Sequence, residues 1–370
     1  MSNVKALDPG TMFFQSAELV DNDVNIKIIR NAFVELLDTE DVEEILSRNN
    51  WHYVKDKTHY YVIGEDALKV ARMFPGKVEL RRPMQDGVLN KGEDKKMLIM
   101  SELVKSAIGK APDEQSLVCT CVSSESVDGS ADNSFHKARL MGMIENFGWN
   151  VKVIEEGLAV ILSERPVIIE EDGTEIPYSG IGISFGSGRA NCVLAYRGLS
   201  VIGMSAAYAG DRIDQQVALH TDTAISQVTT KKEKELDFDN LDLDDDIIFA
   251  LDVYYEDMIK NVITHFSKKF KEVKSQFDAP LDIVVAGGTA APKGFCNKLK
   301  KVLNKLELPF KIKEIRMAKD PRNAVVRGCL TQATVSQKKL VNSEGNKDKK
   351  IENKKGEKEI KNDPSEILGE

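Results

Sequence analysis

The sequence predicts an α/β protein of two lobes, and three observations carry that expectation. Short β-branched runs alternate with longer runs of helical apolar periodicity, as strands and helices do when interleaved. A strand pair joined by a glycine turn occurs twice, around residues 8–15 and 184–194, each opening one half of the chain. The chain has 370 residues, whereas single cores rarely grow beyond about 250 to 300, so two similar halves facing across a cleft are expected.

The elements follow in order. NVKAL and TMFFQSAEL read as strands on either side of the DPG turn, then HYYVIG as a strand and DALKVARMF as a helix. KKMLIMSELVKSAIG and SFHKARLMGMIENFG are helical and flank the strand LVCTCV; VKVIEE closes the first half as a strand. GIGISF, NCVLAYRG and LSVIGMSAA are strands, DRIDQQVALH a helix, DIVVAGG a buried strand and KGFCNKLKKVLNKL a helix. Before DIVVAGG, the long helix starting at Asp246 has acids at its start and lysines near its end, which suits the helix dipole. The charged stretch from Thr229 to Asp246 reads as an exposed connection. From about Ser336, Lys, Glu and Asn replace nearly all large apolar residues, so 336–370 is expected to be a disordered tail. It is either an inert solubilising segment or a partner-binding one carrying the short motif SEILGE.

Composition narrows the function. A formal net charge of −8 gives no surplus of cations for phosphate neutralisation, so nucleic acid is not an expected partner. No apolar run approaches the roughly 20 residues of a membrane span. MSNVKALDPG lacks the regions of a signal peptide, and the expected location is cytoplasmic. The five cysteines lack paired spacing, and Cys119 and Cys121 are expected as buried thiols on one strand face.

Four segments carry chemistry. ALDPGT places Asp8, Gly10 and Thr11 at a strand-to-strand turn, where bare backbone approaches a phosphate and a carboxylate holds hydrated Mg²⁺. By itself Asp-Pro-Gly is also a plain turn. ISFGSGRAN repeats the geometry with Gly186, Ser187 and Gly188; AGDRID places Gly210 and Asp211 at a helix start, where capping alone is the simpler reading. VVAGGTAAPKG ends a strand in Gly287, Gly288 and Thr289 before a helix.

In this order, with RRPMQDGVL (81–89), VIEEGLAV (153–160) and AKDPRNAVVRGCL (318–330), the motifs resemble the actin, Hsp70 and sugar kinase superfamily, most closely its MreB branch. The resemblance covers about nine-tenths of the chain. It implies two ribonuclease-H-like lobes: lobe I at 1–165, with an outer subdomain at about 25–80, and lobe II at 166–335. It further implies ATP and Mg²⁺ in the cleft. Asp8 would act on the metal through water, Gly10, Thr11, Gly186, Ser187 and Gly188 would surround the phosphates, and Gly210 and Asp211 would follow the second loop. Gly287, Gly288 and Thr289 would lie near adenosine, with Glu156 positioning the attacking water; a plain helix N-terminal charge is the other reading of Glu156.

Several residues depart from the family pattern. Ser184 stands where the second loop usually has Asp, which predicts slow hydrolysis at most. Met12, Phe13 and Phe14 either pack in the core or obstruct the phosphates. Gly157 replaces a usual Pro and predicts a more flexible hinge. The outer subdomain between Asp211 and Gly287 is reduced, and the loop GKAPDEQS (109–116) is polar, so direct membrane insertion is not expected. Two functions follow: a filament-forming Mg-ATP-binding cytoskeletal protein, or a non-polymerising nucleotide-binding scaffold acting through a protein partner, with the tail as one route to it.

Overall fold

In the computed structural model, which describes residues 3–89, 94–129, 133–164, 167–169, 173–273 and 279–338, the alternating runs pair as sheets. β1 (Val4–Pro9), β2 (Phe13–Val20) and β3 (Asp23–Arg30) form an antiparallel meander. β4 (Phe33–Leu37), α1 (Val42–Arg48), β5 (Tyr53–Lys55), β6 (His59–Ile63) and α2 (Glu65–Met73) build a small outlying unit around Val34, Leu46, Tyr60 and Val62. The hairpin β7 (Met84–Gln85) and β8 (Val88–Leu89) precedes α3 (Asp94–Ile108), β9 (Leu117–Val122), α4 (Asn133–Glu145) and β10 (Asn150–Glu155). β9 adds to β1 and β10 to β9, both parallel, giving the order β3-β2-β1-β9-β10.

The chain then repeats this plan. After α5 (Glu156–Ser163) and the pair β11 (Val167–Ile169) and β12 (Glu175–Pro177), a second meander forms from β13 (Gly180–Phe185), β14 (Ala190–Tyr196) and β15 (Leu199–Ala206). α6 (Gly210–Thr221), α7 (Ile225–Lys234) and α8 (Asp246–Glu272) follow, then β16 (Leu281–Ala286), α9 (Phe295–Leu303) and β17 (Ile312–Met317). Asp245 caps α8 by accepting from the N–H groups of Ile247 and Ile248, each at 3.0 Å. The order β15-β14-β13-β16-β17 matches the first sheet strand for strand. Between α6 and α8 the described residues add only α7 and its connection, the reduced outer subdomain expected.

Side-chain alternation divides each sheet into two faces. Leu7, Phe14, Val118 and Val122 pack outward against α3 and α4. Ile181, Ile183 and Phe185 pack outward against α8 and α9. The inner faces carry small residues, Ala6, Ala17, Cys119 and Cys121 from one sheet and Val193, Ala195 and Ala286 from the other. Two helices fill the space between them: α5 and the helix over 324–338. The buried thiols expected at Cys119 and Cys121 are found there.

This packing corrects three expectations. Gly157 is not a hinge: a Cβ there would stand 2.8 Å from Val193 Cγ2 and 2.9 Å from Gly182 O, so glycine is required for α5 to lie on β13 and β14. The charged stretch 229–246 is not simply an exposed connection. Its first third is α7, Lys232 is buried, and Leu236 and Phe238 enter the second core, with the Phe238 ring 5.0 Å from that of Tyr255. Its average charge hid these apolar anchors. Finally, the helix at 324–338 runs through the tail's expected start at Ser336, and Gln337 is buried, donating from Nε2 to Gln115 O at 3.0 Å. The remainder of the tail lies outside the described residues.

The two central helices meet at Gly328, where a Cβ would come within 1.8 Å of Ala159 O. Backbone cannot yield there, so Gly328→Ala is expected to destabilise the protein by about 3 kcal/mol, within the usual range for overpacking. A lower midpoint in urea unfolding with an unchanged slope checks this.

Candidate functional site

The same alternation that buries Leu7 and Ile183 outward turns their neighbours inward. Asp8 at the end of β1 and Ser184 at the end of β13 therefore face one space between the sheets, a cleft of about 870 Å³. It opens beyond the carboxyl ends of the parallel strands, where open α/β sheets place ligands.

Three turns shape its wall. The first, Gly10–Met12, is held by Asn31, whose Nδ2 donates to Gly10 O at 2.9 Å and whose N–H donates to Met12 O at 2.9 Å. In the second, Gly186 N–H donates to Arg189 O at 2.9 Å. Two of its carbonyls are already engaged: Gly186 O accepts from Thr289 Oγ1 at 2.7 Å, and Ser187 O from Asp211 N–H at 2.7 Å. The two loops touch, since a Cβ on Gly188 would stand 2.5 Å from Thr11 Oγ1 and 2.6 Å from Gly87 N. In the third turn Gly287 has φ +102°, and a Cβ there would strike Phe185 O at 2.2 Å, so only glycine fits.

Two buried carboxyls lie at the floor. Burial raises the Asp8 carboxyl above its ordinary value, opposed by a hydrogen bond from the Cys121 thiol, 3.5 Å from Oδ1. Burial also raises Glu156, the first residue of α5, and the charge of Asp8 adds to the shift. Ser123 Oγ donates to Glu156 at 3.1 Å, Asn191 Nδ2 at 2.8 Å, and the Ser184 hydroxyl bonds it as well. Ser184 thus occupies its strand end as a neutral neighbour, where a third carboxylate would add repulsion.

Of the residues expected at a site, Asp8, Gly10, Thr11, Glu156, Ser184, Gly186, Ser187, Gly188, Gly287, Gly288 and Thr289 all line this cleft. Gly210 and Asp211 do not. They support the second loop from behind, with Gly210 N–H donating to Gly186 O at 3.2 Å and Asp211 pairing with Arg82 at 2.7 Å. Phe14 packs in the core, whereas Met12 and Phe13 enter the wall.

Sequence reasoning missed Lys232 and Glu233, which α7 brings to the cleft. Lys232 forms a buried ion pair with Asp214 at 2.7 Å, and burial raises the Asp214 carboxyl despite that ammonium. Leu236 and Phe238, apolar positions inside the charged run, and Val228 just before it were the available signal. Arg189 was missed as well. Its guanidinium is buried and joins both halves, donating to Ser205 Oγ at 3.1 Å, Asp86 O at 3.0 Å, Ser126 Oγ at 2.8 Å and Asp128 Oδ1 at 3.2 Å.

The residues present fit a magnesium–polyphosphate complex better than a bare metal. No group of three His, Cys, Asp or Glu able to hold an ion occurs among the described residues. Mg²⁺ commonly takes one or two carboxylates with phosphate oxygens and water, which Asp8 beside two glycine loops can serve.

A family model described as Volactin matches residues 3–333. The chain belongs to the Volactin family. No curated protein matches the sequence. Among solved structures, the volactin chain is similar to a MamK double helical filament, with 18% identity, a TM-score of 0.67, and coverage of 90% of this chain and 98% of that one. It is also similar to MreB5 of Spiroplasma citri bound to AMPPNP, with 15% identity, a TM-score of 0.63, and coverage of 92% and 98%. The same MreB5 bound to ADP aligns at a TM-score of 0.62 and 15% identity. At these identities the likeness is one of fold, and the volactin chain has the actin-like, MreB-type architecture that its motifs implied.

Proposed function

We propose that this volactin-family chain binds Mg-ATP in the cleft and assembles into cytoskeletal filaments, with slow hydrolysis as a switch. One observation carries the reading: two glycine loops and the Gly287–Thr289 turn converge on Asp8 and Glu156 in a single cleft. The MreB5 relatives bound to AMPPNP and ADP support the nucleotide, and the MamK filament supports the assembly. A head-to-tail contact that does not close on itself yields such a filament.

In this proposal lobe I spans 1–165, with its outer subdomain at about 25–80, and lobe II spans 166–335. Gly10, Thr11, Gly186, Ser187 and Gly188 lie against the phosphates, and Gly287, Gly288 and Thr289 against adenosine. Gly210 and Asp211 act by shaping the second loop. Bound magnesium would neutralise polyphosphate charge. Asp8 would hold that ion through its bound water, and Glu156 would orient and deprotonate the attacking water. The working location is the cytoplasm; no helix among the described residues is long and apolar enough to cross a membrane.

The second reading is a non-polymerising nucleotide-binding scaffold acting through a protein partner, and Ser184 favours it, because one orienting carboxylate is missing. Sedimentation and negative-stain microscopy with Mg-ATP, beside a phosphate-release assay, separate the two. Pelleted filaments reject the scaffold; a monomer that binds ATP and releases no phosphate rejects the filament.

Gly288 offers a test of the cleft itself. A Cβ there meets nothing within 4 Å, so a side chain enters open space without disturbing the fold. Gly288→Leu is expected to leave the unfolding midpoint in place and to weaken ATP binding about tenfold, or ~1.4 kcal/mol. Calorimetric titration giving wild-type affinity would place adenosine elsewhere.

A further inference from the structure

Gln15 lines the cleft, and one atom of its side chain is left without a donor. In the antiparallel register of β1 and β2 it stands directly opposite Asp8, and opposed residues share a face of the sheet. Leu7 and Phe14 pack outward, so Gln15 turns inward beside the Asp8 carboxyl, with only 9% of the residue exposed. A contact from far along the chain fixes its carboxamide. Nε2 donates to Arg322 O at 3.0 Å, in the segment that leads into the helix at 324–338. A carbonyl can only accept, so the amide nitrogen has to face Arg322 and Oε1 has to face elsewhere. Among the described residues nothing donates to Oε1.

A structural tie between β2 and the 320–323 segment is the simplest explanation of Gln15, with a water molecule serving the oxygen. It accounts for the nitrogen. It gives no role to an acceptor that stands next to Asp8 on the cleft wall. The chemistry of a Mg-ATP complex narrows the donor. Phosphate oxygens only accept, and the Gly287–Thr289 turn assigned to adenosine follows a strand of the other sheet. Water bound to a divalent cation is a strong donor, and Mg²⁺ keeps several such waters. A neutral amide also suits this floor, because a further charged side chain would add to the repulsion between Asp8 and Glu156.

We propose that Gln15 is a positioning residue for the metal: its Oε1 accepts a hydrogen bond from a water of the magnesium ion assigned to Asp8, while Arg322 O holds the carboxamide in place. The assignment rests on the Mg-ATP reading of the cleft. It supplies the ion's outer sphere with an oxygen from β2, partly offsetting the carboxylate that Ser184 does not provide.

Calorimetric titration of the full chain with ATP, once in excess Mg²⁺ and once in EDTA, tests this. The readout is the ratio of the two affinities within each protein, because a partly unfolded sample weakens both by the same factor. Gln15→Met keeps the side chain's length and removes the oxygen. It is expected to bind Mg-ATP about tenfold more weakly than the wild type, the low end for an outer-sphere partner of a metal, and metal-free ATP equally well. Gln15→Glu keeps an acceptor and should bind Mg-ATP within about threefold of the wild type. A structural tie alone makes the two variants behave alike, since neither carries the amide nitrogen that donates to Arg322 O. Equal ratios in wild type and Gln15→Met, or a ratio in Gln15→Glu as low as in Gln15→Met, overturn the assignment. A wild type that binds ATP equally well with and without Mg²⁺ overturns it too, and leaves nucleotide binding standing. A wild type that binds neither form rejects the nucleotide reading itself, and the role of Gln15 with it.

Discussion

Glu156→Gln is expected to lower phosphate release from Mg-ATP by about 100-fold, the usual contribution of a positioned general base. The substitution keeps the side chain's size; its amide oxygen can still accept from Asn191 Nδ2 and its new NH₂ can donate to Ser123 Oγ, while it removes a charge that burial and Asp8 both oppose. Unfolding stability should therefore not fall, and ATP affinity should change little. That combination separates catalysis from folding. The complementary change, Ser184→Asp, restores a carboxylate beside Glu156 at a buried position. It should raise turnover with Mg-ATP and lower stability without it, because three carboxyls in one dry space repel until a cation enters. If neither substitution alters the release rate, Glu156 and Ser184 do not do the chemistry assigned to them.

Arg189→Met is expected to cost about 3 kcal/mol of stability, the lower end for breaking a buried charged network. Only 1% of the Arg189 side chain is exposed, whereas its partner Asp128 is 32% exposed and regains water when the guanidinium leaves. The cost thus comes mainly from Asp86 O, Ser126 Oγ and Ser205 Oγ losing a shared donor. Those partners belong to different parts of the chain. The segment carrying Ser126 also pairs with β15: Val127 N–H donates to Ser205 O at 3.0 Å, and Ser205 N–H to Glu125 O at 2.8 Å. Arg189 therefore secures the second loop to the first half of the molecule, and its loss should loosen the two sheets relative to each other. Chemical denaturation reads the energy; an unchanged midpoint would mean that water replaces the guanidinium at no cost.

Both glycine turns were visible in the sequence because a tight strand-to-strand turn needs residues without a Cβ; at Gly10 and Gly186 that requirement is local, set by Phe13 O and Arg189 O, whereas at Gly188 it comes from Thr11 and Gly87 across the cleft. Asp8 and Ser184 could be placed at strand ends for the same reason: a strand's period of two assigns each side chain a face. The order of the motifs along the chain was enough to indicate the actin-like plan. Lys232 was hidden because α7 is polar on average, and only its docking on the second core turns one lysine inward. Gly157 was misread because its need for glycine comes from Val193 and Gly182 across a helix–sheet contact, not from its own neighbours.

The sequence by itself thus determined what depends on nearby residues: strand and helix periodicity, the loops with bare backbone and the missing carboxylate at Ser184. Only the tertiary structure decided what depends on distance through space. It placed Gly210 and Asp211 behind the second loop rather than in the cleft, made Arg189 a bridge between halves, and raised Asp8 and Glu156 together by burying them in one cavity. Desolvation and packing act between groups far apart in the chain, and no window of sequence contains both partners.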